Sequence, residues 1–291
     1  EIKEAFQTYY GKIELEGDSL KKENGDISIN MSFMNVADGG QATTNFNATV
    51  TYDNQTATAS RYDDLDYQLY QIMLDDQGNP IKRNGKYQTI ELSKSANRLG
   101  ININKTNGKS EVGVSANKAL GGGMFILRLV AQDSYNELTG KYENFVEIFI
   151  SIADGSNTAK YKISSVDDFN NIANNLNAHY VLTNDIVVEL AKPITTKIAS
   201  LDGNNKKIII KNFAVDSSSS SSETAGYYGL FATVDENTLL YNVVVDYSQF
   251  NTGKSGQLVL AYENITSVVF GGLTAVNNGL IYNCDVVNAG N

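Results

Sequence analysis

Leu182-Thr183-Asn184-Asp185-Ile186-Val187, Ile210-Lys211-Asn212-Phe213-Ala214-Val215, Leu240-Tyr241-Asn242-Val243-Val244-Val245 and Ile281-Tyr282-Asn283-Cys284-Asp285-Val286 are one phrase written four times, aliphatic-x-Asn-x-x-Val. Successive asparagines stand 28, 30 and 41 residues apart, the spacing of one or two coils of a β-solenoid with loops of variable length. A coil that stacks on its neighbour lays inward aliphatics over inward aliphatics, and its corners take residues that tolerate left-handed backbone angles. Asn184, Asn212, Asn242 and Asn283 are therefore expected at structural corners, where amide side chains hydrogen-bond from coil to coil. Stacked repeats of this kind hold, space or bind things, so chemistry is not the first expectation.

Just upstream, Ser165-Val166-Asp167-Asp168 reads as a helix start, with Asp168 three residues after a capping serine. Phe169, Ile172, Ala173 and Leu176 follow at helical spacing. One short amphipathic helix there covers the apolar end that a solenoid would otherwise expose. Downstream come Gly229-Leu230-Phe231-Ala232 and Phe270-Gly271-Gly272-Leu273-Thr274-Ala275-Val276-Asn277-Asn278-Gly279-Leu280-Ile281-Tyr282-Asn283-Cys284. These resemble the GLUG repeat, roughly Gly-Gly-Leu, a small residue, Asn-x-Gly, an aliphatic and x-Asn-Cys, with Thr274 and Ala275 replacing its usual Val-Gly. The order helix, Tyr180–Ile186, then Leu201–Phe213 looks like the opening coils of right-handed β-helix segments in large bacterial surface proteins. Between the phrases, the serine-rich stretch Asp216–Gly226 is too polar to enter a coil and reads as a loop thrown out of the stack. Phe250–Gly256 reads as a second such excursion.

The first half has a different grammar. Gly11–Gly17, Ile27–Phe33, Phe46–Tyr52, Tyr67–Leu74, Tyr87–Leu92, Gly100–Ile103, Ser110–Val114, Met124–Ala131 and Phe145–Ile152 alternate or run apolar between turn signals, the pattern of a β-sandwich. Gly123–Asp133, ending in Ala131-Gln132-Asp133, followed by Phe145–Asp154, resembles the last strands of a cadherin-like or immunoglobulin-like domain. Asp154-Gly155-Ser156-Asn157-Thr158 is the polar junction. The reading is all-β: a sandwich over 1–154 and the start of a right-handed parallel β-helix over 155–291, continuing further in the parent protein.

Composition agrees with β structure: 17 Tyr, 24 Gly, 2 Pro and no Trp favour strands joined by Asn, Gly and Asp turns. A net charge of −10 with no basic cluster repels a phosphate backbone and excludes nucleic acid as a partner. Cys284 is the sole cysteine, so neither an intrachain disulfide nor a thiolate metal cluster can form. It is expected to pack as a small apolar residue. No apolar run is long enough to span a bilayer, and Glu1 opens no signal-peptide pattern, which suits a mature or excised piece.

Catalytic constellations are sparse. His179 is the only histidine, which rules out a His-rich zinc site and the metal motif of the immunoglobulin-A-cleaving metallopeptidases that also carry GLUG repeats; it is expected to pack at the first coil. A glycan-cleaving β-helix needs paired carboxylates on one face. Asp167, Asp168, Asp185 and Asp202 are candidates by type, but the first two read as helix-start charges and the third belongs to a repeat phrase. Asp202-Gly203-Asn204 reads as a turn. Calcium is the more plausible ion: Asp64 and Asp66 lie close in sequence, Asp154 stands at the boundary, and the cadherin resemblance implies that Asp133 binds calcium. Because the cadherin inter-domain Asp-x-Asn-Asp is missing, solvated turn acids remain the favoured reading of these residues over a calcium site.

The sequence thus leads to a non-catalytic, extracellular cell-surface protein acting in adhesion or as a scaffold. The sandwich is the spacer, and the β-helix is the surface that meets a host or neighbouring-cell protein or glycan. Two rivals stand beside it: a fibre subunit that self-associates through an uncapped β-helix end, and a polysaccharide-cleaving enzyme.

Overall fold

The computed structural model describes residues 12–51, 65–95, 98–106, 109–213, 225–250 and 267–289. The fold is all-β, with one α-helix among the described residues, Val166–Asn170. The chain divides into two compact units, residues 1–159 and 160–291.

Among the described residues the first unit is built from two main sheets, with two short hairpins, Lys82–Arg83 with Lys86–Tyr87 and Tyr135–Asn136 with Lys141–Tyr142. One runs Lys12–Glu16, Gln41–Thr51, Lys109–Asn117, Gly100–Thr106, all antiparallel. The other runs Lys21–Glu23, Asp26–Ser32, Phe145–Ala153, Gly123–Ala131, Leu65–Ile72, Thr89–Leu92, and is antiparallel except where Phe145–Ala153 lies parallel to Asp26–Ser32. The strand period of two decides which face is buried. Phe46, Ala48 and Val50 alternate with polar residues on one strand, and Val112, Val114 and Ala116 do so on its neighbour. Ile148, Ile150 and Ile152 meet Leu127, Phe125 and Gly123 across the other sheet. Fully burying each such side chain stabilises the unit by roughly 1.5–3 kcal/mol. Two elements differ from the sequence reading. The second strand of the first sheet starts at Gln41, because the polar Gln41–Asn45 segment pairs in register with 113–117. The run 87–92 breaks at Gln88, whose amide turns to donate to Ile81 O at 2.8 Å.

In the second unit every described strand pair is parallel. A five-stranded ladder orders Tyr161–Ile163, His179–Leu182, Ser200–Asp202, Leu239–Tyr241 and Leu280–Tyr282. A second orders Ile186–Val188, Lys207–Ile210, Val244–Asp246 and Asp285–Val287. Phe231–Val234 beside Thr274–Asn277 forms a third side, which the bridge Ile194 to Phe231 extends to the preceding rung. Paired positions recur after 21, 39 and 41 residues, from Tyr180 to Leu201, Leu240 and Ile281. The inward column Ile186, Ile208, Val245 is essentially inaccessible, while the next member, Val286, is 40% exposed.

The helix start follows the sequence. Ser165 Oγ accepts from Asp168 N at 3.1 Å, and the Asp168 carboxylate accepts in return from Ser165 N at 3.1 Å. The helix is shorter than its apolar spacing suggests: it tightens into a 3₁₀ turn over Asn171–Asn174 and ends as Asn177 takes φ +57°. Phe169 and Ile172 are buried, whereas Ala173 and Leu176 are left in solvent.

Candidate functional site

The repeated bend between the first and second ladders is the organising feature of the second unit. Asn184 sits there in one rung, and its Nδ2 donates to Ser164 O at 3.1 Å. Asn242 and Asn283 occupy the same bend two and three rungs on, both left-handed at φ +54° and +49°. Asn283 Nδ2 donates to Asn242 Oδ1 at 2.5 Å, and Asn242 Nδ2 donates to Asp202 Oδ1 at 3.2 Å. A ladder of side-chain bonds therefore runs up the corner.

Asn212 lies elsewhere. It follows the strand Lys207–Ile210, and its carbonyl accepts from Ala191 N at 2.7 Å on a different side of the rung. The bend of that rung is Gly203-Asn204-Asn205, with both asparagines left-handed and Asn204 Nδ2 donating to Leu182 O at 3.1 Å. The phrase Ile210-x-Asn212 copies the spelling of the repeat one strand out of step. Its Ile210 pairs with Val188 in the second ladder, not with Leu182 in the first. The Asp202-Gly203-Asn204 turn signal marks the true bend. Gly203 is required there, because a Cβ would stand 2.0 Å from Asn242 O of the next rung.

Beside this bend runs a second polar ladder. Asp246 pairs with Ile209 and Val287 in the second ladder, yet its side chain is only 6% exposed. Asn288 Nδ2 and Ser248 N donate to its Oδ1 at 2.9 and 2.8 Å, and Lys207 Nζ reaches Oδ2 at 3.2 Å. Burial opposes its charge, but the bonds from Asn288, Ser248 and Lys207 outweigh burial and hold the carboxyl well below the usual carboxylate range. On the first ladder, the rings of Tyr241 and Tyr282 stack at 5.5 Å and 7°, and Lys160 Nζ donates to Tyr241 OH at 3.1 Å.

After the second ladder, Ala225–Tyr228 pairs in parallel with Ser267–Phe270 as a two-stranded ribbon. Beneath this ribbon Phe213 contacts Tyr228, Tyr247, Phe250 and Phe270 at ring distances of 5.8–6.3 Å. Tyr247 OH donates to Gly272 O at 2.7 Å, and burial pushes its hydroxyl well above the ordinary tyrosine value. Tyr227 pairs with Val269, and both stay exposed, as does Phe270. The serine run 217–222 and residues 251–256 of the second excursion lie outside the described residues.

The remaining candidates are spread through both units. His179 Nδ1 lies 2.8 Å from the hydroxyl of the buried Ser200, and burial, then Lys160, lowers its pKa. Asp168 is taken up by the helix cap, Asp185 accepts from Lys207 N at 2.9 Å, and Asp202 accepts from Asn204 N at 2.9 Å and from Asn242. Among the calcium candidates, Asp64 and the Asp133 side chain lie outside the described residues. Asp66 is bonded to Lys94 Nζ at 2.5 Å and to Tyr67 N at 2.7 Å. Asp154 accepts from Gly122 N at 2.7 Å and Ser156 N at 2.9 Å. Asp66 pairs with Val130 and Asp154 with Gly122, at opposite ends of one strand, so at ~3.3 Å per residue they stand about 26 Å apart and share no ion. Among the described residues no three acidic, His or Cys side chains cluster to hold a metal. No protein-family model and no curated protein sequence matches the chain.

Proposed function

We propose that this is a non-catalytic surface protein of extracellular adhesion or scaffolding. In this reading the first unit is a β-sandwich of immunoglobulin or cadherin type, and the second opens a right-handed parallel β-helix of GLUG type. The observation that carries it is the in-register parallel stack, with the exposed parallel pair Ala225–Tyr228 and Ser267–Phe270 beside it. A stack makes a stiff axis from nearest-neighbour contacts alone, and loops on one flank are where such proteins place recognition. The ribbon bearing Tyr227, Val269 and Phe270 offers apolar and aromatic contact area, the composition of binding surfaces. Its partner is a surface protein or glycan of a neighbouring cell. Capture of the chain by immobilised extracellular-matrix proteins and glycans tests this. Tyr227→Ser with Val269→Ser should weaken capture about tenfold without changing urea unfolding. Absence of capture by any of these surfaces, or capture indifferent to the double substitution, refutes the contact surface.

A further inference from the structure

Gly113 stands in the middle of the strand Lys109–Asn117, between two hydrogen-bonded neighbours. Its backbone is ordinary extended strand, absent from the left-handed positions, so conformation does not require glycine. Nor does crowding: a Cβ there would meet nothing nearer than Asn102 Cβ and O at 3.9 Å. Glycine in a strand interior weakens the strand and marks a place of close approach. The space above Gly113 is a groove of about 470 Å³ on the outward face of the four-stranded sheet. A second hollow of about 410 Å³ continues from it past Asn45 and Glu111 toward Glu16 and Ser19.

Register arranges the walls as a grid. Asn45 and Asn102 flank Gly113 in one row, Asn47 and Asn104 flank Glu111 in the next, and Thr43 and Gly100 flank Ser115 in the third. Asn45 Nδ2 donates to Glu111 Oε1 at 2.7 Å, and the second carboxylate oxygen and Asn45 Oδ1 are further acceptors on the groove wall. The Asn102 and Asn104 amides are exposed and present both donors and acceptors. Among the described residues no Lys or Arg lines either hollow.

We propose that this face binds a neutral oligosaccharide, laid over Gly113 with its hydroxyls bonded to the Asn45, Asn102 and Asn104 amides and the Glu111 carboxylate. Mixed donor–acceptor side chains suit hydroxyls, which are themselves donor and acceptor. A carboxylate accepting from a sugar hydroxyl adds a charge-assisted bond. The lack of cations disfavours sulfated or uronic glycans. A peptide strand would seek the main-chain groups of a sheet edge, whereas this is a face.

Titration of the isotope-labelled full chain with cello-, xylo-, manno- and maltohexaose at millimolar concentration, read by amide NMR, tests the site. At least one hexasaccharide should shift Asn45, Asn102 and Gly113 amides saturably. Gly113→Val, which fills the groove at a position that suits a β-branched residue, should weaken binding about tenfold, with unfolding unchanged. Asn102→Ala should weaken it severalfold and serves if the valine variant misfolds. The proposal is overturned if none of the four shifts these amides, if a sulfated hexasaccharide or an Asn/Thr-rich peptide binds as well, or if both variants bind unchanged. The readout lies on the first unit, so its failure leaves the reading of the second untouched.

Discussion

Replacing Asn242 by alanine and, separately, by glycine separates the two tasks of that side chain. Its backbone is left-handed at φ +54°, a conformation that penalises an ordinary side chain by roughly 1–2 kcal/mol. Its amide also donates to Asp202 at 3.2 Å and accepts from Asn283 at 2.5 Å, each bond contributing roughly 0.5–1.5 kcal/mol net. Asn242→Ala loses on both counts, about 2–5 kcal/mol. Asn242→Gly loses the bonds but relieves the backbone, so it should be about 1 kcal/mol less damaging. Asn212 is the internal control: it is not left-handed, and Asn212→Ala should stay within about 0.5 kcal/mol of the parent. Native-state hydrogen exchange of the amides in 239–246, with urea unfolding of the full chain by circular dichroism, measures both effects. If glycine at 242 is as damaging as alanine, or if Asn212→Ala matches Asn242→Ala, the corner assignment fails.

Gly203→Ala should destabilise the second unit by about 3 kcal/mol or more, since its Cβ would meet Asn242 O at 2.0 Å; a melting temperature within error of the parent would contradict the close stacking of these rungs. Leu240→Ala, at a fully buried position, should cost about 2–5 kcal/mol, whereas Val286→Ala, 40% exposed, should cost under about 1 kcal/mol in urea titrations of the chain. The folded-state pKa of Asp246 is depressed, so its contribution is complete above the unfolded value near ~3.9 and is lost as pH falls below about 4. Acid titration of stability should therefore flatten in Asp246→Asn, which is also less stable at neutral pH. Burial raises the Cys284 thiol pKa, so alkylation at pH 8 should run slower on the native chain than in urea.

The all-β character was legible because strand alternation and turn residues are local signals. Phe46, Val50, Val112, Val114, Ile148 and Ile150 alternate in the sequence as they alternate between core and solvent. The helix cap was legible for the same reason, since Ser165 and Asp168 need only each other. Helix length was not. Ala173 and Leu176 carry the right spacing, but what keeps a short helix going is packing, and that face meets solvent.

Register is the harder quantity, and the corners show why. A repeat found by spelling aligns letters, whereas a stack aligns hydrogen-bonded rungs, and an insertion can leave the spelling intact while moving it to another side of the coil. Ile210-Lys211-Asn212 has the letters of a corner and the geometry of a strand exit, while Gly203-Asn204-Asn205 has the geometry without the letters. The discriminating signal is the residue that the next rung forces: Gly203 sits where Asn242 O passes, and no side chain fits between them. Asp246 makes the same point for charge. In sequence it is one acid among many, and only the arrival of Lys207 from the rung below and Asn288 from the rung above makes its ionised form the stable one. Such sites arise between rungs, so the information that specifies them is divided among segments about 40 residues apart. Gly113 inverts the case, because its meaning lies in what is missing above it. A glycine that neither its backbone angle nor its neighbours demand leaves the groove as the remaining physical account, and for that reason Gly113→Val tests it more directly than removal of any one hydrogen-bonding wall.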